Sequence, residues 1–136
     1  MKDESSLAGP PRDRRALGAF GERLAAAHLE SKGYRILERN YRRREGEIDI
    51  VAVTGGGCLV FVEVRTRRGE ERGLAIESVS PVKGARLACL AQAYCQDRPD
   101  LPADRRIDVV AVELSPAGRL LSIQHVENAV DEEGLP

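Results

Sequence analysis

The chain has 136 residues, 42% hydrophobic and 32% charged, with a formal net charge of −1. That length suggests one domain with a single core, and the near-neutral balance carries no argument for or against nucleic acid in bulk. No stretch approaches the ~20 apolar residues of a membrane span, no opening apolar h-region marks a secretory signal, and three cysteines without a CxxC pair beside two histidines argue against a zinc site and for buried reduced thiols in a cytoplasmic protein.

Residues 1–13 read as a polar, disordered lead containing Pro10-Pro11. Residues 14–32 read as a helix, with Asp13 as N-cap and Gly33 as the residue that ends it. Leu17, Phe20, Leu24 and Ala27 form one apolar stripe. Gly18, Glu22, Ala25 and Leu29 form a second, so Glu22 stands in a small-apolar lane and needs a partner. Residues 34–41 read as extended.

Residues 47–54 and 58–66 are Ile- and Val-rich runs joined by Gly55-Gly56-Gly57, the pattern of a β-hairpin. A bend centred on Gly56 sets Asp49 opposite Glu63 and Glu47 opposite Arg65. Opposed residues share a face, so two carboxylates are expected side by side next to an arginine. Such an arrangement calls for compensation, and Mg²⁺ or Mn²⁺ suits a pair of carboxylates completed by water and phosphate oxygens. Both runs are apolar on both faces near the glycines, which predicts central strands covered by helices on each side.

Ser80-Pro81 predicts a helix start, and the helix runs to about residue 97 with Leu87, Leu90, Ala91 and Tyr94 inward. Cys58 and Cys89 read as core residues. Lys83 and Arg86 oppose the helix dipole in its first turns, so they are either solvated or close to an anion. Residues 107–114 predict a strong strand, residues 115–118 a turn, and residues 119–126 a polar edge strand. Residues 128–136 read as an acidic tail, leaving residues 14–127 as the domain. The expected fold is α/β, a mixed β-sheet flanked by helices in the order α-β-β-β-α-β-β. Arginines gather at Arg42, Arg43, Arg44, Arg67 and Arg68, a footprint of a polyanion site on one reading and a solvated strand face on the other.

A resemblance is carried by Gly21-Glu22, Ala25, Leu29, Gly33-Tyr34, Asn40-Tyr41-Arg42, Gly46-Glu47-Ile48-Asp49, residues 60–67, residues 80–83 and residues 108–112. Over residues 17–130 the chain resembles the YraN family of small bacterial proteins. That family is similar to the restriction-endonuclease-like (PD-(D/E)xK) superfamily and, within it, to archaeal Holliday junction resolvases. The resemblance implies a restriction-endonuclease-like fold, a Mg²⁺ or Mn²⁺ cofactor, DNA as partner, including branched DNA, and a homodimer. It implies Asp49 and Glu63 as metal ligands with the carbonyl of Val64, Glu22 as the helix glutamate, and Arg65 where the superfamily has lysine. Arg42, Arg43, Arg44, Arg67, Arg68 and Lys83 would then hold the DNA backbone. Arg65 cannot accept a proton as a desolvated lysine can. The alternatives are therefore a catalytically weak or inactive nucleic-acid-binding module and a protein-interaction domain.

Overall fold

The computed structural model describes residues 14–69 and 79–130. The lead at residues 1–13, most of the expected loop after residue 67 and the last six residues lie outside them. Helix α1 (Arg14–Ser31) is followed by β1 (Arg35–Arg43), β2 (Gly46–Val53), β3 (Leu59–Arg68), α2 (Pro81–Gln96), β4 (Arg105–Leu114) and β5 (Leu120–Val130). The five strands form one sheet in chain order. All neighbours are antiparallel except β3 and β4, which are parallel and joined by a crossover containing α2. This is the α/β mixed sheet and element order expected from the sequence.

Local chemistry accounts for the ends of both helices. Gly33, at φ +92, closes α1, and the Tyr34 N–H returns to the Leu29 carbonyl at 3.1 Å. Ser80 caps α2, its hydroxyl accepting from the Lys83 N–H at 3.2 Å, with Pro81 in the first turn. Each helix covers one sheet face. Against α1, Ala25, Ala26 and Leu29 meet Ile50, Ala52, Val60, Val62, Val110 and Val112. Against α2, Leu87, Leu90, Ala91 and Tyr94 meet Ile48, Val51, Leu59, Phe61 and Ile107. The parity of β3 follows: odd positions face α2 and even positions face α1. Phe61 lies between the rings and aliphatic chains of this second layer, and its truncation to alanine would cost ~3–5 kcal/mol.

Two expectations change. Cys89 is exposed, because the inward positions of α2 are Leu87, Leu90, Ala91 and Tyr94. The last strand runs on to Val130, which is buried and pairs with Ile107, past the expected strand end at residue 126.

A polar network fastens β5 and the end of α1 to β4. Asp108 is fully buried. It accepts from Arg106 Nε at 3.0 Å and from the Asn128 N–H at 2.8 Å, and lies 2.7 Å from His125 Nε2. Lys32 Nζ reaches His125 Nδ1 at 2.7 Å, which leaves Nε2 to carry the ring proton toward Asp108. Burial works against the Asp108 charge, but hydrogen bonds from His125 and Arg106 hold the carboxyl below its usual range.

Candidate metal and phosphate site

The hairpin register is the one that the glycine bend predicts: Ile50 pairs with Val62, Val51 with Phe61, Ala52 with Val60 and Val53 with Leu59. Pairing stops at Ile50, one residue before Asp49. On the other side of β2, Arg39 pairs with Ile50 and Tyr41 with Ile48, and the intervening Asn40 and Asp49 are skipped. Asn40 has φ +57, in the left-handed region. Alternation along a strand would put Ile48 and Ile50 on one face. Instead Ile50 packs with α1 and Ile48 with α2. Both strands change sides together at Asn40 and Asp49.

Asp49 is therefore turned toward β3. Its Oδ2 accepts the Val64 N–H at 2.7 Å, taking the place of a ladder carbonyl. The expected face-to-face pairing of Asp49 with Glu63 is corrected to this geometry. The expected pairing of Glu47 with Arg65 lies beyond the β2–β3 ladder, which ends at Ile50 and Val62; on the β1 edge of the same strand Glu47 lies opposite Arg42, whose Nε donates to it at 3.1 Å. On its β4 side Arg65 lies opposite Ala111.

Among the described residues, Glu22, Glu47 and Asp49 converge, with carboxylate oxygens within 4.8 Å of one another. Glu63 is not one of the three. It stands on the α2 side, 8% exposed, with Lys83 Nζ 3.3 Å from its Oε2. A cleft at this end of the sheet is lined by Glu47, Asp49, Glu63, Val64, Lys83 and Arg86. A second cleft, on the α1 side, is lined by Arg14, Arg15, Glu22, Arg39, Arg42 and Glu47. Glu47 borders both, so the two clefts meet at the acidic cluster.

The electrostatics centre on Asp49. Burial, then the Glu63 charge, push its carboxyl up to about 8; the Val64 N–H pulls against this, and Glu22 and Glu47 add to the rise. Glu22 is also raised, by burial and then by Glu47, with Arg39 at 4.0 Å opposing. Three hard oxygen donors of this kind suit a small divalent cation, which would replace the mutual repulsion with coordination. The donor set fits Mg²⁺ or Mn²⁺ on chemistry and spacing.

Of the residues singled out in the sequence, Glu22 and Asp49 are brought together, and Glu63 borders the cleft from the opposite face. The Val64 backbone is present, but the atom in contact with Asp49 is its N–H. Arg43 pairs with Glu45 at 3.7 Å, and Arg68 donates to the Pro116 carbonyl at 3.0 Å, so part of the expected basic surface is engaged internally. Arg44 is exposed and Arg67 half-buried. Glu47 was missed as a candidate ligand. The Glu-x-Asp spacing of Glu47 and Asp49 was the available signal.

Fold and cleft define an α/β protein with an acidic cluster and a lysine at one open end of a mixed sheet. The model of the uncharacterised protein family UPF0102, the YraN family, matches residues 21–112, and the chain belongs to that family. A UPF0102 protein of Pelotomaculum thermopropionicum is 48% identical over 116 residues, covering 85% of this chain and 96% of the relative. One from Roseiflexus castenholzii is 48% identical over 121 residues, 88% and 96% of the two chains. One from Symbiobacterium thermophilum is 50% identical over 106 residues, 78% and 89%. Among solved structures, Pyrococcus furiosus SfsA in complex with Ca²⁺ matches with a TM-score of 0.30 at 19% identity, covering 86% of this chain and 63% of that one. A likeness that slight carries no argument.

Among the described residues, no helix is long and apolar enough to cross a membrane.

Proposed function

We propose that the chain is a divalent-cation-dependent endodeoxyribonuclease of the restriction-endonuclease-like kind, acting on DNA that includes branched forms. One observation carries the reading: Asp49 lies within the influence of Glu22, Glu47 and Glu63, its carboxyl raised to about 8, with Lys83 in the same cleft. Such a concentration of acid is costly unless a cation occupies it, and a basic residue beside it suits a phosphate.

In this reading Glu22, Glu47 and Asp49 would hold Mg²⁺ or Mn²⁺, with Glu63 lining the same cleft. The cation supplies Lewis-acid polarisation of the phosphate and acidifies water. The protein's groups orient the phosphodiester and balance its charge. Water oxygen bonds to phosphorus, the bond from phosphorus to the leaving sugar oxygen breaks, water's proton passes to solvent, and the leaving oxygen takes one up from solvent. Arg44 and Arg67 hold neighbouring phosphates, contacts that position a duplex without reading its sequence.

The test is cleavage of duplex, flapped and four-way DNA with Mn²⁺, by the parent chain and by Asp49→Ala. Cation-dependent cutting that disappears in Asp49→Ala is expected. Intact DNA throughout, with binding that weakens steeply with salt, would favour the non-catalytic module.

A further inference from the structure

We propose that Lys83, carried in the first turn of α2, is the cation that faces the scissile phosphate, in the role a strand lysine would have and Arg65 would otherwise inherit. This rests on the nuclease reading above. Lys83 Nζ stands 3.3 Å from Glu63 Oε2, and both side chains line the cleft that contains Asp49 and Val64. Arg65, two residues beyond Glu63 on the same strand, is not part of that lining. The ammonium thus enters from the helix covering the sheet, not from the strand.

The local structure fixes that entry. The Lys83 N–H is itself the group bonded by the Ser80 cap, so the backbone bearing the side chain is pinned at the cap. A lysine in a first turn works against the helix dipole. The position gains nothing for the helix, and its counter-charge comes from Glu63 on the sheet. Glu63 is 11% exposed and Lys83 45% exposed in their side chains, so the ammonium spans from the buried acid to the open cleft. With Glu63 engaging the ammonium from one side, its remaining donors are available to non-bridging phosphoryl oxygens and to the attacking water. The Lys83 side chain offsets the negative charge that builds on those oxygens. A compact ammonium on a flexible stem can follow that charge, whereas a planar guanidinium two strand positions away is held to its own fork geometry.

The experiment compares the parent chain with Lys83→Gln, Lys83→Arg and Arg65→Gln. Single-turnover cleavage of a DNA substrate in Mn²⁺ is measured beside DNA affinity in Ca²⁺, Mn²⁺ affinity by calorimetry, and thermal unfolding. Lys83→Gln is expected to slow cleavage about 100-fold, with DNA affinity within about threefold, Mn²⁺ affinity not weakened and folding retained. Lys83→Arg recovers part of the rate, and Arg65→Gln costs less than tenfold. Cutting by Lys83→Gln within threefold of the parent overturns the role while leaving the nuclease reading intact. So does a loss in Arg65→Gln as large as in Lys83→Gln. A parent chain that leaves the DNA whole in Mn²⁺ removes the nuclease reading, and this role with it.

Discussion

Asn40 and Asp49 oppose each other across β1 and β2 at a step where the ladder between their neighbours is skipped, and Asn40 is left-handed there. Asparagine tolerates that conformation better than most side chains, and glycine better still. The strain at Asn40 and the outward turn of Asp49 are two sides of one distortion, placed where the acids meet.

That relationship predicts a graded series at position 40. Asn40→Gly should keep both stability and Mn²⁺ affinity close to the parent. Asn40→Val, a β-branched residue forced to positive φ, should lose about 1–3 kcal/mol in urea unfolding and weaken Mn²⁺ binding. Equal behaviour of the two variants would disconnect the backbone twist from the site.

The raised Asp49 carboxyl makes cation binding and proton release one event. Its folded value, about 8, lies above the ordinary value of 3.8, so the apo fold favours the protonated form and loses that contribution as pH rises through the folded value. A cation needs the ionised form. Calorimetry in buffers of different ionisation heats should therefore detect protons released on Mn²⁺ binding below pH 8, and affinity should climb with pH up to that region. Asp49→Asn should remove the release and raise apo stability at pH 8 by on the order of 1–3 kcal/mol. A binding enthalpy independent of buffer would contradict the linkage.

Asp108 has the opposite sign. Its carboxyl is lowered in the fold, so its contribution is present above the unfolded value and lost as pH falls through the folded one. Asp108→Ala would leave Arg106 and His125 without the buried acid between them and should cost about 3–5 kcal/mol at neutral pH. The variant should also show a flatter acid limb in a stability–pH series. A limb as steep as the parent's would mean that other carboxylates carry acid unfolding.

Gly21 lies where α1 meets β3, and a Cβ there would collide with the Thr66 hydroxyl. Gly21→Ala should lower stability by about 1–3 kcal/mol. Adding Thr66→Ala should restore part of it, because the hydroxyl is removed while the Thr66 Cβ remains close. Strict additivity of the two changes would show that they do not meet.

The order of elements and the hairpin register were legible in the sequence because each rests on local signals. The three glycines fix the bend, the Ile and Val runs fix two central strands, and Ser80-Pro81 fixes the start of α2. The site was legible as a set of acids but not as a geometry. Uniform alternation predicted Asp49 directly across from Glu63, and nothing in β-propensity announces that Asn40 will flip the faces of two strands at once. Glu47 has Arg42 as its β1 neighbour through the tight turn at residues 44–45, while the ladder with β3 ends at Ile50, short of the position opposite Arg65. Cys89 was misplaced because an apolar neighbourhood in sequence does not say which side of a helix a residue occupies. The meeting of Lys83 with Glu63 depends on how α2 lies over the sheet, a tertiary relationship with no short-range signature.

The parallel pairing of β3 with β4 has a consequence for biogenesis. Closing it requires the whole crossover, so long-range order must form before local gains repay the loop. Glu22 lies before the pairing, Glu47, Asp49 and Glu63 in the first hairpins, and Lys83 inside the crossover itself. A nascent chain halted before β4 emerges from the ribosome would carry every acid of the cluster and the β2 and β3 part of the α2 seat, but would lack Ile107 and the strand that completes that layer. The sheet edge beside β3 would stay unpaired in such a chain, so the layer under α2 is completed only when the last two strands arrive.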